Sequence, residues 1–100
     1  RLFRTEEEAE FEASRQRFLL QMERDFLDNS DELDWADNHQ KKFRLEYIYK
    51  NERIYIESNF FVNEGTLYTT NEEWLKQYIK DNEENIKKYY FGEKDLWLKL

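Results

Sequence analysis

Leu2-Phe3-Arg4-Thr5-Glu6-Glu7-Glu8 opens the chain, and Leu67-Tyr68-Thr69-Thr70-Asn71-Glu72-Glu73 repeats its pattern about two-thirds of the way along. Each stretch is a brief apolar approach, then a threonine, then a glutamate three residues later. That is the signature of a helix N-terminal capping box, with Thr5 paired to Glu8 and Thr70 to Glu73. The threonine hydroxyl satisfies a free N–H of the first turn, and the glutamate reaches back to the cap. Two strand-into-capped-helix units suggest an internal duplication of a small ββα module, the first copy entering without its upstream strands. The repeat decides architecture and is silent on chemistry.

Downstream of the first cap, residues 6–28 read as one long helix. No Gly or Pro interrupts it, and Glu6, Glu7 and Glu8 suit the positive end of the helix dipole. Phe11, Phe18, Leu19, Met22 and Phe26 form one apolar stripe at helical spacing. Ala9, Ala13, Leu20 and Leu27 form a second, narrower stripe on another side. Two readings of that second stripe stand: the helix is wedged between two parts of its own domain, or the stripe docks a second copy or a partner.

Residues 42–50 and 53–61 read as a β-hairpin. Phe43, Leu45, Tyr47 and Tyr49 alternate with polar residues at the strand period of two, as do Ile54, Ile56, Ser58 and Phe60. Lys50-Asn51-Glu52 is the expected turn, with Asn51 the residue best able to take a positive φ. After a second turn at Asn63-Glu64-Gly65, Thr66–Thr69 reads as a third strand. Residues 71–82 read as a second helix with Trp74, Leu75, Tyr78 and Ile79 inward and Ile86 extending that face. Glu84–Phe91 adds a helical turn or two, stopped by Gly92 at the position after the C-cap. Asp95–Leu100 alternates as an edge strand or ordered tail.

The expected fold is therefore a single α+β domain: a long N-terminal helix, a three-stranded antiparallel β-meander, a second helix and a short C-terminal element. Its segments are 1–28 (strand stub and long helix), 29–41 (acidic linker), 42–70 (sheet), 71–91 (helical) and 92–100. One hundred residues with 18% aromatics hold a real core. The absence of cysteine excludes disulfides and thiolate metal sites and fits a cytoplasmic setting. No run approaches a membrane span, and no signal peptide is visible. The chain does not open on Met, and further residues are expected before Arg1.

The net charge of -7 is uneven: residues 1–40 carry five basic and twelve acidic side chains, whereas residues 41–100 carry eleven of each. An acidic arm beside a neutral body disfavours direct nucleic-acid binding, which depends on neutralising phosphates. It favours a basic protein partner, or serves solubility alone. In the segment Asn29–Gln40, Trp35 is either a pin that holds a loop to the body or the aromatic anchor of an acidic binding loop.

No catalytic constellation is present. His39 is a lone histidine among acids and amides. Ser14, Ser30 and Ser58 lie in no nucleophile context, and two glycines make no phosphate loop. Asp28, Asp31, Asp34 and Asp37 recur every three residues but lack the central Gly and terminal Glu of an EF-hand loop, so no metal and no cofactor is expected. Tyr47, Tyr49 and Tyr55 with Lys42, Arg44 and Arg53 offer a base-stacking sheet surface only if they do not serve the core.

Phe3–Glu12 (FRTEEEAEFE), the hairpin and Ile86–Gly92 (IKKYYFG) resemble, in order, landmarks of a family of small proteins encoded by phages and mobile elements of low-GC Gram-positive bacteria. In that family a strand runs into an F-[RK]-T-x-E-E-A helix. A linker, a YYI-type hairpin, a second strand-into-helix unit and a closing KKYYFG follow. Trp74 stands where a smaller apolar residue is expected. Members often carry a predicted coiled-coil segment upstream, which these 100 residues do not include. The resemblance implies no activity and no catalytic residue. It implies a context in which small acidic accessory proteins inhibit host functions, CRISPR and other defences among them.

The expectation is thus a non-enzymatic accessory protein that acts by protein–protein binding, an acidic inhibitor of a host nucleic-acid-processing or defence protein. Glu6, Glu10, Glu12, Asp28, Asp31, Glu32, Asp34 and Asp37 supply its charge and Trp35 its anchor. The alternative is a self-associating structural module that pairs through Ala9, Ala13, Leu20 and Leu27 as a homodimer.

Overall fold

The computed structural model of the chain describes residues 5–59 and 66–92. Their order is α1 (Glu6–Asp28), β1 (Lys42–Ile48), β2 (Arg53–Asn59), α2 (Glu72–Asn85) and a π-helical turn (Ile86–Tyr90). The strand stub before Thr5, the turn at Asn63–Gly65 and the tail Asp95–Leu100 lie outside the described residues.

Thr5 caps α1 as its sequence demands, accepting from the Glu8 N–H at 3.1 Å. The first apolar stripe of α1 turns inward. Met22 and Phe26 are buried, and they join Phe43 and Leu45 of β1, Leu75 and Tyr78 of α2 and Ile86 in one core. Phe26 meets Trp74 and Tyr78 edge-on, at ring distances of 5.3 and 5.9 Å, a geometry that adds to the burial gain.

The sheet is a two-stranded antiparallel hairpin, not a three-stranded meander. Its register pairs Phe43 with Ser58, Leu45 with Ile56 and Tyr47 with Ile54. The expected third strand at residues 66–69 contracts to one bridge, Thr69 with Phe43. The Phe43 N–H donates to the Thr69 carbonyl at 2.8 Å and receives the Thr69 N–H in return at 3.0 Å. The bridge lies on β1, whereas a meander would extend β2. Pairing ends there because the Thr69 and Thr70 hydroxyls are engaged by the chain leaving α1, and that turns the backbone into α2.

Two local expectations shift with it. The cap of α2 is Asn71, which accepts from the Trp74 N–H at 3.0 Å, rather than Thr70. The second capping box therefore does not form, and the two units match in sequence without matching in detail as duplicated ββα units. In the hairpin loop the positive φ belongs to Glu52 (54°) rather than Asn51. The pairing of Ile48 with Arg53 leaves a four-residue loop, and its last residue makes the left-handed turn back into β2.

The closing KKYYFG acquires a structural meaning. α2 kinks at Asn82 (φ -129°, ψ 18°), whose side-chain amide donates to the Tyr78 carbonyl. The next turn widens to a π-helix, and three consecutive aromatics splay to three neighbours. Tyr89 meets Phe11 and Phe18 of α1. The Tyr90 hydroxyl accepts from the Leu67 N–H. Phe91 stacks on Tyr47 at 5.3 Å with the rings 20° apart. Gly92, at φ 61°, ends the element in the left-handed conformation expected of it.

Burial raises the Tyr78 hydroxyl well above the ordinary tyrosine pKa, and the Asp25 carboxylate, which accepts its hydrogen bond, raises it further. Burial also raises Tyr90, against a smaller opposing effect of the Leu67 N–H. An unfolded tyrosine ionises near the ordinary value, about 10, whereas these two stay protonated in the fold. Stability is therefore intact below that pH and is lost as pH rises beyond it. The urea midpoint should fall from about pH 9 to about pH 11. The fall should be shallower in Tyr78→Phe and Tyr90→Phe; equal slopes in all three proteins would contradict this.

Candidate functional site

Four polar residues fasten the end of α1 to the start of α2. The Thr69 hydroxyl donates to the Asn29 carbonyl at 2.9 Å and accepts from the Asn71 N–H at 3.1 Å. The Thr70 hydroxyl accepts from the Asp31 N–H at 2.8 Å, and the Ser30 hydroxyl accepts from the Thr70 N–H at 3.0 Å. Asn29 closes α1 by donating its amide to the Asp25 carbonyl at 2.8 Å. The residues joined across this clasp are 39 or 40 positions apart.

The clasp forms the floor of an open cleft of about 460 Å³, lined by Asp28, Asn29, Ser30, Asp31, Thr70, Asn71, Glu72 and Glu73. Four carboxylates face it, and among the described residues no lysine or arginine lines it. Glu72 and Glu73 occupy the first turn of α2, where acid is favourable. Asp28 occupies the last turn of α1, which holds no basic residue and where acid is unfavourable. It is exposed and has no ion-pair partner among the described residues.

The structure separates the acids that the sequence groups together. Glu6 and Glu10 are exposed on the N-terminal half of α1, while Glu12 pairs with Arg15 at 3.3 Å. Asp34 and Asp37 shape the linker itself. Asp34 accepts from the Ala36 N–H at 3.0 Å and Asp37 from the His39 N–H at 2.9 Å, as side-chain turns do. Glu32 is exposed, and its carbonyl accepts from the Gln40 amide at 2.9 Å. Trp35 packs edge-on against Tyr68 at 4.9 Å, and the Lys42 ammonium sits over its ring at 4.9 Å. Of its two readings, the pin to the body describes its geometry.

Lys42 is the residue that sequence alternation does not reveal. It opens β1 yet is only 1% exposed, and its ammonium donates to the Asp37 and Gln40 carbonyls. A cation held by two carbonyls and an indole face ties the linker to the sheet. Glu72 and Glu73 were likewise hidden, because a helix cap explains them without reference to Asp28 and Asp31.

The remaining candidates disperse. Two of the three tyrosines cluster: Tyr47 and Tyr49 meet edge-on at 4.7 Å, Tyr47 stacks on Phe91 and the Tyr49 hydroxyl donates to the Phe91 carbonyl, whereas Tyr55 lies opposite Glu46 on the hairpin. Among the described residues no three acidic or imidazole side chains are placed to hold a metal ion. Ala9 is half-buried, whereas Ala13, Leu20 and Leu27 are exposed, the leucines at 58% and 69%. Among the described residues no helix is long and apolar enough to cross a membrane.

Comparison with known proteins returns no family model, no curated protein and no solved structure that matches the chain.

Thr69 is fully buried and serves two backbone groups at once. Thr69→Val keeps the shape and removes the hydroxyl, leaving the Asn29 carbonyl and Asn71 N–H unsatisfied. The expected loss is roughly 1–3 kcal/mol, read from the urea midpoint at unchanged slope. A loss below about 0.5 kcal/mol would mean that water replaces the hydroxyl.

Proposed function

We propose that the chain is a non-catalytic protein-binding module whose acidic cleft at the α1–α2 junction receives a basic segment of a partner protein. The observation that supports this reading most is Asp28. Its carboxylate stands at the wrong end of a helix dipole, in no ion pair among the described residues, on a cleft that three further carboxylates share. Local stability accounts for Glu72 and Glu73 and does not account for Asp28. A lysine or arginine from a partner would meet four carboxylates and the negative end of the α1 dipole together.

The family resemblance supplies the setting: an accessory inhibitor that covers a basic surface of a nucleic-acid-processing or defence protein. A surface evolved to hold phosphates is the kind of partner such a cleft fits. Each exposed charge contributes little alone, so affinity comes from the set and weakens with salt.

The test is fluorescence anisotropy with a labelled arginine-rich peptide at low and high salt. Asp28→Asn should weaken binding by a factor of about two to five. The same change should raise folding stability by about a few tenths of a kcal/mol, because it removes an unfavourable charge from the end of α1. Weaker binding in a more stable protein is the expected pair of results. Unchanged affinity in Asp28→Asn and in a combined Asp28→Asn, Asp31→Asn protein would overturn the cleft reading.

A further inference from the structure

The outer face of α1 carries a second pattern, independent of the cleft. Ala13, Leu20 and Leu27 recur every seven residues on the side opposite Met22 and Phe26, and all three are exposed. One flank of this stripe carries Glu6, Glu10, Arg17 and Arg24 in that order, acid before base, and then Asp28 in the last turn, all exposed. Neither Glu6, Glu10 nor Arg24 has an ion-pair partner among the described residues, and Arg17 donates only to its neighbour Ser14 at 3.2 Å.

Over residues 6–24 the charge of this flank reverses, and a stretch of that kind is complementary to itself run backwards. In an antiparallel pair related by a twofold axis, like flanks face each other. Setting Leu20 of one copy between Ala9 and Ala13 of the other brings Glu6 opposite Arg24, and Glu10 within one helical turn of Arg17, twice each by symmetry. The two small residues make room for the leucine, and the same register satisfies both charge pairs. A parallel pair sets this flank against the opposite one, where Gln16 and Glu23 stand, and makes neither charge pair.

We propose that α1 forms an antiparallel homodimer through Leu20 packed between Ala9 and Ala13 of a second copy, with flanking Glu6–Arg24 and Glu10–Arg17 pairs. The contact uses a face that the core and the cleft leave open, so each copy keeps its acidic cleft, at opposite ends of the pair.

The test is sedimentation equilibrium on three proteins. The wild type should give a dimer mass at high micromolar concentration. Glu10→Arg and Arg17→Glu should each be monomeric when alone, and an equimolar mixture of the two should recover the dimer, since each variant then faces its complement. Circular dichroism should show all three folded. Leu27→Cys, in a chain otherwise free of cysteine, should not form an intermolecular disulfide on mild oxidation, because the antiparallel register holds the two positions about 35 Å apart. A wild-type monomer at millimolar concentration, failure of the mixture to recover the dimer, or rapid disulfide formation at position 27 would each overturn the proposal.

Discussion

The fold depends on hydroxyl hydrogen bonds that join Asn29–Asp31 to Thr69–Asn71. They replace water on backbone groups that two helix ends and an interrupted strand would otherwise leave open, and buried groups of that kind are expensive to leave unmade. Closing a loop of some forty residues has a substantial entropic cost. Three bonds across the gap, made by the adjacent Thr69 and Thr70 with Thr69 fully buried, offset it better than the same bonds scattered over the surface would. With the clasp made, α1, the edge of β1 and the start of α2 are placed relative to one another. The acidic cleft follows from that placement, since Asp28 and Asp31 arrive from one side and Glu72 and Glu73 from the other.

The acidity of the first forty residues is not one surface. Glu12 is paired with Arg15, Asp25 accepts from Gln21 and Tyr78, and Asp34 and Asp37 turn the linker on itself. Buried Lys42 draws that linker onto the sheet through its carbonyls, with Trp35 beneath its ammonium. The linker is a folded connection whose own side chains make the turns that glycine and proline make elsewhere. What remains for a partner among the described residues lies at the two ends of α1, and at the C-terminal end it converges on a concave surface.

Local pattern carried the sequence reading as far as local physics reaches. The span of α1, the inward alternation of Phe43, Leu45 and Tyr47, and the terminating role of Gly92 depend on periodicity and on single-residue conformational freedom. The third strand that the sequence reading placed at residues 66–69 does not form. Residues 66–69 have strand composition, but Thr69 and Thr70 spend their hydrogen-bonding capacity on partners about forty residues away, which no window of sequence displays. The same contest moved the cap of α2 from Thr70 to Asn71: the Thr70 hydroxyl is aimed across the junction at the Asp31 N–H, and the Asn71 side chain accepts from the Trp74 N–H instead. The π turn was hidden for another reason. Its register is set by where Tyr89, Tyr90 and Phe91 must point, and that is a property of three neighbours together. At the cleft, Asp28 and Asp31 were visible as acids, but their convergence with Glu72 and Glu73 required the clasp.

The two helix ends at the cleft make opposite electrostatic demands, and this limits what can bind there. The N-terminus of α2 already has Glu72 and Glu73 as its complement, so an anion gains little from approaching it. The C-terminus of α1 has Asp28 where a cation belongs. A small monovalent cation would gain little, because at an exposed site the desolvation it requires is comparable to the attraction it receives. A guanidinium presents several donors in one plane and is weakly hydrated, so it can meet two carboxylates and a helix-end carbonyl with little loss. The cleft is open, which suits a side chain delivered on a chain better than a free ligand, whose association entropy four solvent-accessible carboxylates would not overcome. The physical asymmetry of one misplaced aspartate thus argues for an arginine-bearing protein segment over an ion or a small metabolite.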